Sequence, residues 1–137
     1  MKTVLVLVAV LSVVVSGAIY SPIQQEKIRK IADPCASEQN IPLAESDYKR
    51  AFDGGELFED ESFSKKMAKC FLEKIDALSA DGVISGKMVV EFFADGKTPA
   101  PLVELAEKCV SSAEGETSDD RALTFYRCFS KGKSASI

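Results

Sequence analysis

The chain has 137 residues, of which 46% are apolar and 28% charged, with eight glycines and five prolines; this excludes disordered, collagen-like and low-complexity classes and bounds it to one domain, or one domain with an appendage. It contains no histidine and no tryptophan, and its formal charge is −4. Imidazole bases, histidine metal ligands and histidine pH switches are therefore excluded, and the basic surface that a nucleic-acid partner requires is missing.

In chain order, Met1 and Lys2 form a short positive start, and Val4 to Val15 is an apolar run interrupted only by Ser12. Ser16-Gly17-Ala18 then presents small residues. This pattern predicts a signal peptide over 1–18, cut after Ala18 or, alternatively, after Gly17. The run is shorter than the roughly 20 residues a membrane-spanning helix needs, which disfavours an uncleaved anchor. The expected product is secreted and extracellular, covers 19–137, and has no stable membrane insertion. Removing Lys2 leaves 16 basic residues (17 − 1) against 21 acidic ones, a net −5.

The rest reads as helix after helix. Ile28, Ile31, Ala32 and Cys35 recur at helical spacing, and Pro34 is expected to kink or end that helix. Ala44, Tyr48, Ala51 and Phe52 mark a second helix, stopped by Gly54-Gly55. Phe63, Met67, Cys70, Phe71, Ile75 and Leu78 form the strongest stripe, after a cap at Asp60 or Ser62. Ser85 caps a fourth helix carrying Met88, Val89, Phe92 and Phe93, which Asp95-Gly96 ends. Thr98-Pro99 opens a fifth with Leu102, Leu105, Ala106, Cys109 and Val110 on one face. Ser118 caps the last, with Asp119 and Asp120 in its positive first turn. Ala122, Phe125, Tyr126 and Phe129 face inward there, and Gly132 is expected to end it. No period-2 run reads as a strand, so the fold class is all-α with six short helices.

Two motif-like stretches carry no chemistry. Residues 80–85 (Ala-Asp-Gly-Val-Ile-Ser) match the middle of a calcium loop, but the register places Ala77 and Met88 where its essential acidic ligands belong. Glu56, Glu59, Asp60 and Glu61 lie in a loop at a helix cap and read as solvated charges rather than a catalytic carboxylate pair. No metal site, cofactor or nucleophile–base pair emerges, so an enzyme is the least supported class.

The four cysteines are Cys35, Cys70, Cys109 and Cys128, separated by 34, 38 and 18 residues. In an oxidising compartment an even count implies two disulfides, and three pairings are open. The wide spacing does not suit zinc, which takes ligands in close pairs.

The helical pattern, signal peptide, acidic charge and cysteine spacing together resemble the insect odorant-binding proteins. Cys70 sits in Lys-Cys-Phe-Leu-Glu-Lys, similar to the family's third-cysteine segment. Cys128 sits in Ala-Leu-Thr-Phe-Tyr-Arg-Cys-Phe, similar to its last. In the six-cysteine pattern, Lys66 and Asp119 occupy the places of the second and fifth cysteines, which the family joins to each other. The chain thus resembles the four-cysteine "minus-C" subgroup. The resemblance implies bonds Cys35–Cys70 and Cys109–Cys128, each adding about 3–4 kcal/mol in the chain-entropy description. An ion pair between Lys66 and Asp119 would contribute about 0–1 kcal/mol where a disulfide contributes about 2–5, so a looser contact between the third and sixth helices is expected.

The resemblance also implies a hollow interior, which spacing by itself does not. Its candidate wall residues are Phe52, Leu57, Phe58, Phe63, Met67, Phe71, Ile84, Met88, Phe92, Leu105 and Phe125, with Tyr126 and Tyr48 as hydroxyl donors to a ligand oxygen. The implied partners are a small hydrophobic molecule and, beyond it, an olfactory receptor, with the protein a monomer or weak dimer. The alternatives are a carrier of haemolymph or glandular fluid and a secreted interaction protein with a filled core. Acid-driven release would require carboxylates such as Glu91, Glu104 or Asp119.

Overall fold

The computed structural model describes residues 20–53, 58, 60–94 and 100–135. The expected signal segment, Gly54-Gly55, Leu57, and the Asp95-Gly96 and Thr98-Pro99 signals lie outside them.

Among the described residues the chain forms six helices, α1 (Pro22–Glu38), α2 (Glu45–Phe52), α3 (Glu61–Lys74), α4 (Gly86–Phe93), α5 (Ala100–Ser112) and α6 (Ser118–Ala135). Their starts follow from local chemistry. Ser21 Oγ accepts from Gln24 N at 3.2 Å, and Gln24 Oε1 accepts from Ser21 N at 3.1 Å, a reciprocal cap with Pro22 in the first turn. Asp60, not Ser62, caps α3, its Oδ1 accepting from Ser62 N at 2.8 Å. Ser85 Oγ accepts from Met88 N at 3.3 Å and opens α4 as expected. The cap of α6 is Thr117 rather than Ser118: its Oγ1 accepts from Asp120 N at 3.2 Å, and Asp120 Oδ2 in turn accepts from Thr117 Oγ1 at 3.0 Å.

Three expected helix ends move. Pro34 lies inside α1, which continues to Glu38. The proline removes one donor near the helix end, on an exposed turn where water can serve the freed carbonyl of Lys30. Leu78 lies beyond α3, not on it. Asp76 at φ 60° takes a left-handed conformation, Ala77 N closes onto Leu72 O at 2.8 Å, and Leu78 instead faces Ile84 across an isolated antiparallel bridge. Gly132 does not stop α6. A side-chain carbon there would overlap Leu105 of α5, so the glycine permits close approach of these two helices.

Two disulfides staple the bundle. Cys35–Cys70 joins α1 to α3 with Cα atoms 5.9 Å apart, and Cys109–Cys128 joins α5 to α6 at 5.5 Å. The pairing is the one the resemblance implies. The expected loose contact between the third and sixth helices is not found: α3 and α6 form the most extensive helix seam. Nor is the ion pair the expected one. Lys69 reaches Asp119 at 3.5 Å and Lys65 reaches Asp120 at 2.7 Å, while Lys66 is exposed and its carbonyl accepts from Gln39 Nε2 at 3.4 Å.

Arg121 of α6 ties the α3–α4 connection to the loop before α6. Its Nε donates to Gly82 O at 3.2 Å and its Nη1 to Gly115 O at 3.1 Å. Gly82 has φ +81°, and a side-chain carbon there would collide with the Arg121 guanidinium. Gly82→Ala is expected to lower stability by about 1–3 kcal/mol through strain and loss of the arginine bond. At Gly86, an added carbon makes ordinary contacts of 3.4–3.5 Å, so Gly86→Ala should leave the melting temperature level or raise it. Thermal unfolding of the two variants checks the contrast.

Candidate functional site

The apolar faces of five helices converge on a cavity. α1 supplies Ile28 and Ala32; Leu43 and α2 supply the side containing Asp47, Tyr48, Ala51 and Phe52. α3 contributes Met67, Ala68, Phe71 and Leu72, and α4 contributes Val89 and Phe93. Phe125, Tyr126 and Phe129 of α6, with Tyr20 ahead of α1, complete the wall. The cavity has a volume of about 80 Å³ and a mouth open to solvent.

Aromatic contacts fix much of the wall. Tyr20 stacks on Phe93 with ring centres 5.5 Å apart, Phe93 lies 5.4 Å from Phe129, and Phe129 stacks on Phe125 at 5.8 Å. The C-terminal carbonyls of α4 are held by α1, with Gln24 Nε2 donating to Phe93 O at 2.6 Å and Lys27 Nζ to Phe92 O at 3.3 Å. These bonds set the depth at which Phe93 enters the interior.

A polar network secures α2 against α1. The Tyr48 hydroxyl donates to Asp33 Oδ1. Arg29 places its guanidinium 4.2 Å from the centre of the Tyr48 ring and pairs with both oxygens of Glu45 at 2.9 and 2.8 Å. Asp47 is also engaged, its Oδ2 accepting from Ala44 N at 2.9 Å and its Oδ1 from Arg50 Nη2 at 3.0 Å. Burial, and secondarily the acceptor carboxylate of Asp33, push the Tyr48 phenol well above its ordinary range. Burial likewise pushes up Tyr20, with Tyr126 as a further unfavourable neighbour.

The sequence reading located part of this wall. Phe52, Met67, Phe71, Phe125, Tyr126 and Tyr48 line it. Phe58 and Phe63 instead face each other edge-on at 5.8 Å. Ile84 is buried at the bridge to Leu78, Met88 is half-buried against the core, and Leu105 covers Gly132. Phe92 stands edge-on to Phe71 at 5.4 Å, outside the wall. The missed residues include Tyr20, Val89, Phe93 and Phe129. Val89 and Phe93 each follow an expected residue by one position, a rotation of α4 of about 100°. Phe129 was legible as an inward position of α6. The carboxylates considered for acid release are elsewhere: Glu91 and Glu104 are exposed and Asp119 pairs with Lys69.

Six helices among the described residues, two disulfides joining the first cysteine to the second and the third to the fourth, and an apolar cavity agree with a family-model match over residues 18–132, described as the PBP/GOBP family. The chain belongs to that family. Among the insect odorant-binding proteins its four cysteines fit the minus-C subgroup. No curated protein and no solved structure gives a match. Family members are binding proteins rather than enzymes. Among the described residues, no group of three potential metal ligands forms and no helix is long and apolar enough to cross a membrane.

The tyrosines offer a pH test of this odorant-binding-protein interior. Tyr20 and Tyr48 hold their protons above the ordinary phenol value of about 10. The folded state therefore binds protons more tightly than the unfolded chain, so the stability they contribute is complete below about pH 10 and is lost as pH rises beyond it. In an ultraviolet titration, two of the three tyrosines are expected to ionise only together with unfolding. Their free ionisation in the folded protein at pH 10 would contradict the burial described.

Proposed function

We propose that the protein is a secreted carrier that reversibly binds small hydrophobic molecules (odorants, pheromones or other semiochemicals) in the cavity among its helices. The observation that carries this reading is the cavity itself, walled by aromatic and aliphatic side chains of five helices and partly open to solvent. An apolar guest would replace empty space or weakly held water with carbon contacts, the favourable exchange that drives such binding. Membership of the PBP/GOBP family supports the same reading. Secretion is supported by the signal-like N-terminus and by two disulfides, which persist in oxidising compartments. The residues proposed to contact the guest are Phe52, Met67, Phe71, Phe125 and Tyr126 from the sequence reading, joined by Tyr20, Phe93 and Phe129.

Titration with the apolar fluorophore N-phenyl-1-naphthylamine tests the proposal. Saturable one-to-one binding, displaced by a second apolar compound, is expected. Ala68 lies in the wall and is buried. Ala68→Leu fills part of the void and should weaken the probe at least tenfold, equivalent to about 1.4 kcal/mol, while unfolding stays cooperative. No saturable binding by the folded protein would refute the carrier reading and favour a secreted interaction protein.

A further inference from the structure

The polar groups at the wall determine which guests the cavity accepts. Its exposed surface is carbon almost throughout. Asp47 spends both oxygens on Ala44 N and Arg50, and the Tyr48 proton goes to Asp33. Tyr20 is 6% exposed, with Tyr126 and Ser130 as polar neighbours. Ser130 Oγ is buried and makes no hydrogen bond of ordinary geometry, but Ser130 does not line the cavity. A guest hydroxyl or carboxyl would therefore leave water for a wall that offers it little in return, and such a transfer is unfavourable.

Resting on the carrier reading above, we propose that the cavity selects hydrocarbon guests, without hydrogen-bonding groups, over oxygenated molecules of the same shape. The selectivity follows from a lining that, among the described residues, exposes almost only carbon. A wall with an available donor or acceptor would instead favour the oxygenated guest, because its own group would be left unpaired by the hydrocarbon.

Calorimetric titration of the disulfide-bonded protein with two matched pairs tests this: toluene against phenol, and p-xylene against p-cresol. The hydrocarbons are expected to bind, and the phenols about ten- to a hundredfold more weakly. Tyr20→Phe and Tyr126→Phe should leave that ratio unchanged. Phenols binding as tightly as the hydrocarbons would overturn the inference, and a loss of their affinity in either tyrosine variant would identify the anchor responsible. If N-phenyl-1-naphthylamine binds but neither hydrocarbon does, the proposed guest class is wrong while the carrier reading stands. If neither the fluorophore nor any ring compound binds, both fail together.

Discussion

The covalent link between α1 and α3 is the constraint on which the interior depends. Cys35 is completely buried, and both partner helices line the cavity, so the bond holds two of its walls at fixed separation. The second bond fixes α6, a third wall, against α5. Helices of 8–18 residues are individually marginal in water and owe their persistence to tertiary contacts. A void reduces those contacts. A cavity of about 80 Å³ costs about 2 kcal/mol by comparison with emptied protein cores. Each disulfide contributes about 3–4 kcal/mol by constraining the unfolded chain. The staples thus let the molecule keep an incompletely filled centre and remain folded.

The α3–α6 seam shows how a four-cysteine chain manages without a third bond. Lys65 and Lys69 of α3 face Asp120 and Asp119 of α6, and Glu61 approaches both Lys65 and Arg127. Lysine bonding holds the Asp120 carboxyl below its usual range, with Thr117 adding to the effect. These charges lie at the surface, half-buried or exposed, and orient the helices more than they stabilise them. Cohesion comes from beneath, where Met67 and Ala68 of α3 and Ala122 and Phe125 of α6 are buried in one core.

The fold class, the caps at Asp60 and Ser85, and the inward faces of α3 and α6 were legible because each rests on local chemistry or on a long stripe. The cysteine pairing was legible through the family resemblance. Helix ends were less legible. Asp76 adopts a left-handed conformation that glycine more often signals, Pro34 is tolerated on an exposed turn near the helix end, and Gly132 signals a stop that packing against Leu105 overrides. The wall was legible only in part. On α4, Met88, Val89, Val90, Phe92 and Phe93 give a short helix apolar around most of its circumference. Its facing is settled by the grip of Gln24 and Lys27 on its last carbonyls, a contact between segments more than sixty residues apart. Tyr20 was hidden for a similar reason: it precedes the first helix and joins the core through Phe93 and Phe52.

The wall draws on every helix except α5. That helix is anchored through Cys109 and through Leu105 over Gly132, both on its inner side. Its outer positions, such as Pro101, Glu104, Glu107 and Lys108, are exposed. Mutational drift along this outer flank would change the molecular coat without retuning the chamber behind it.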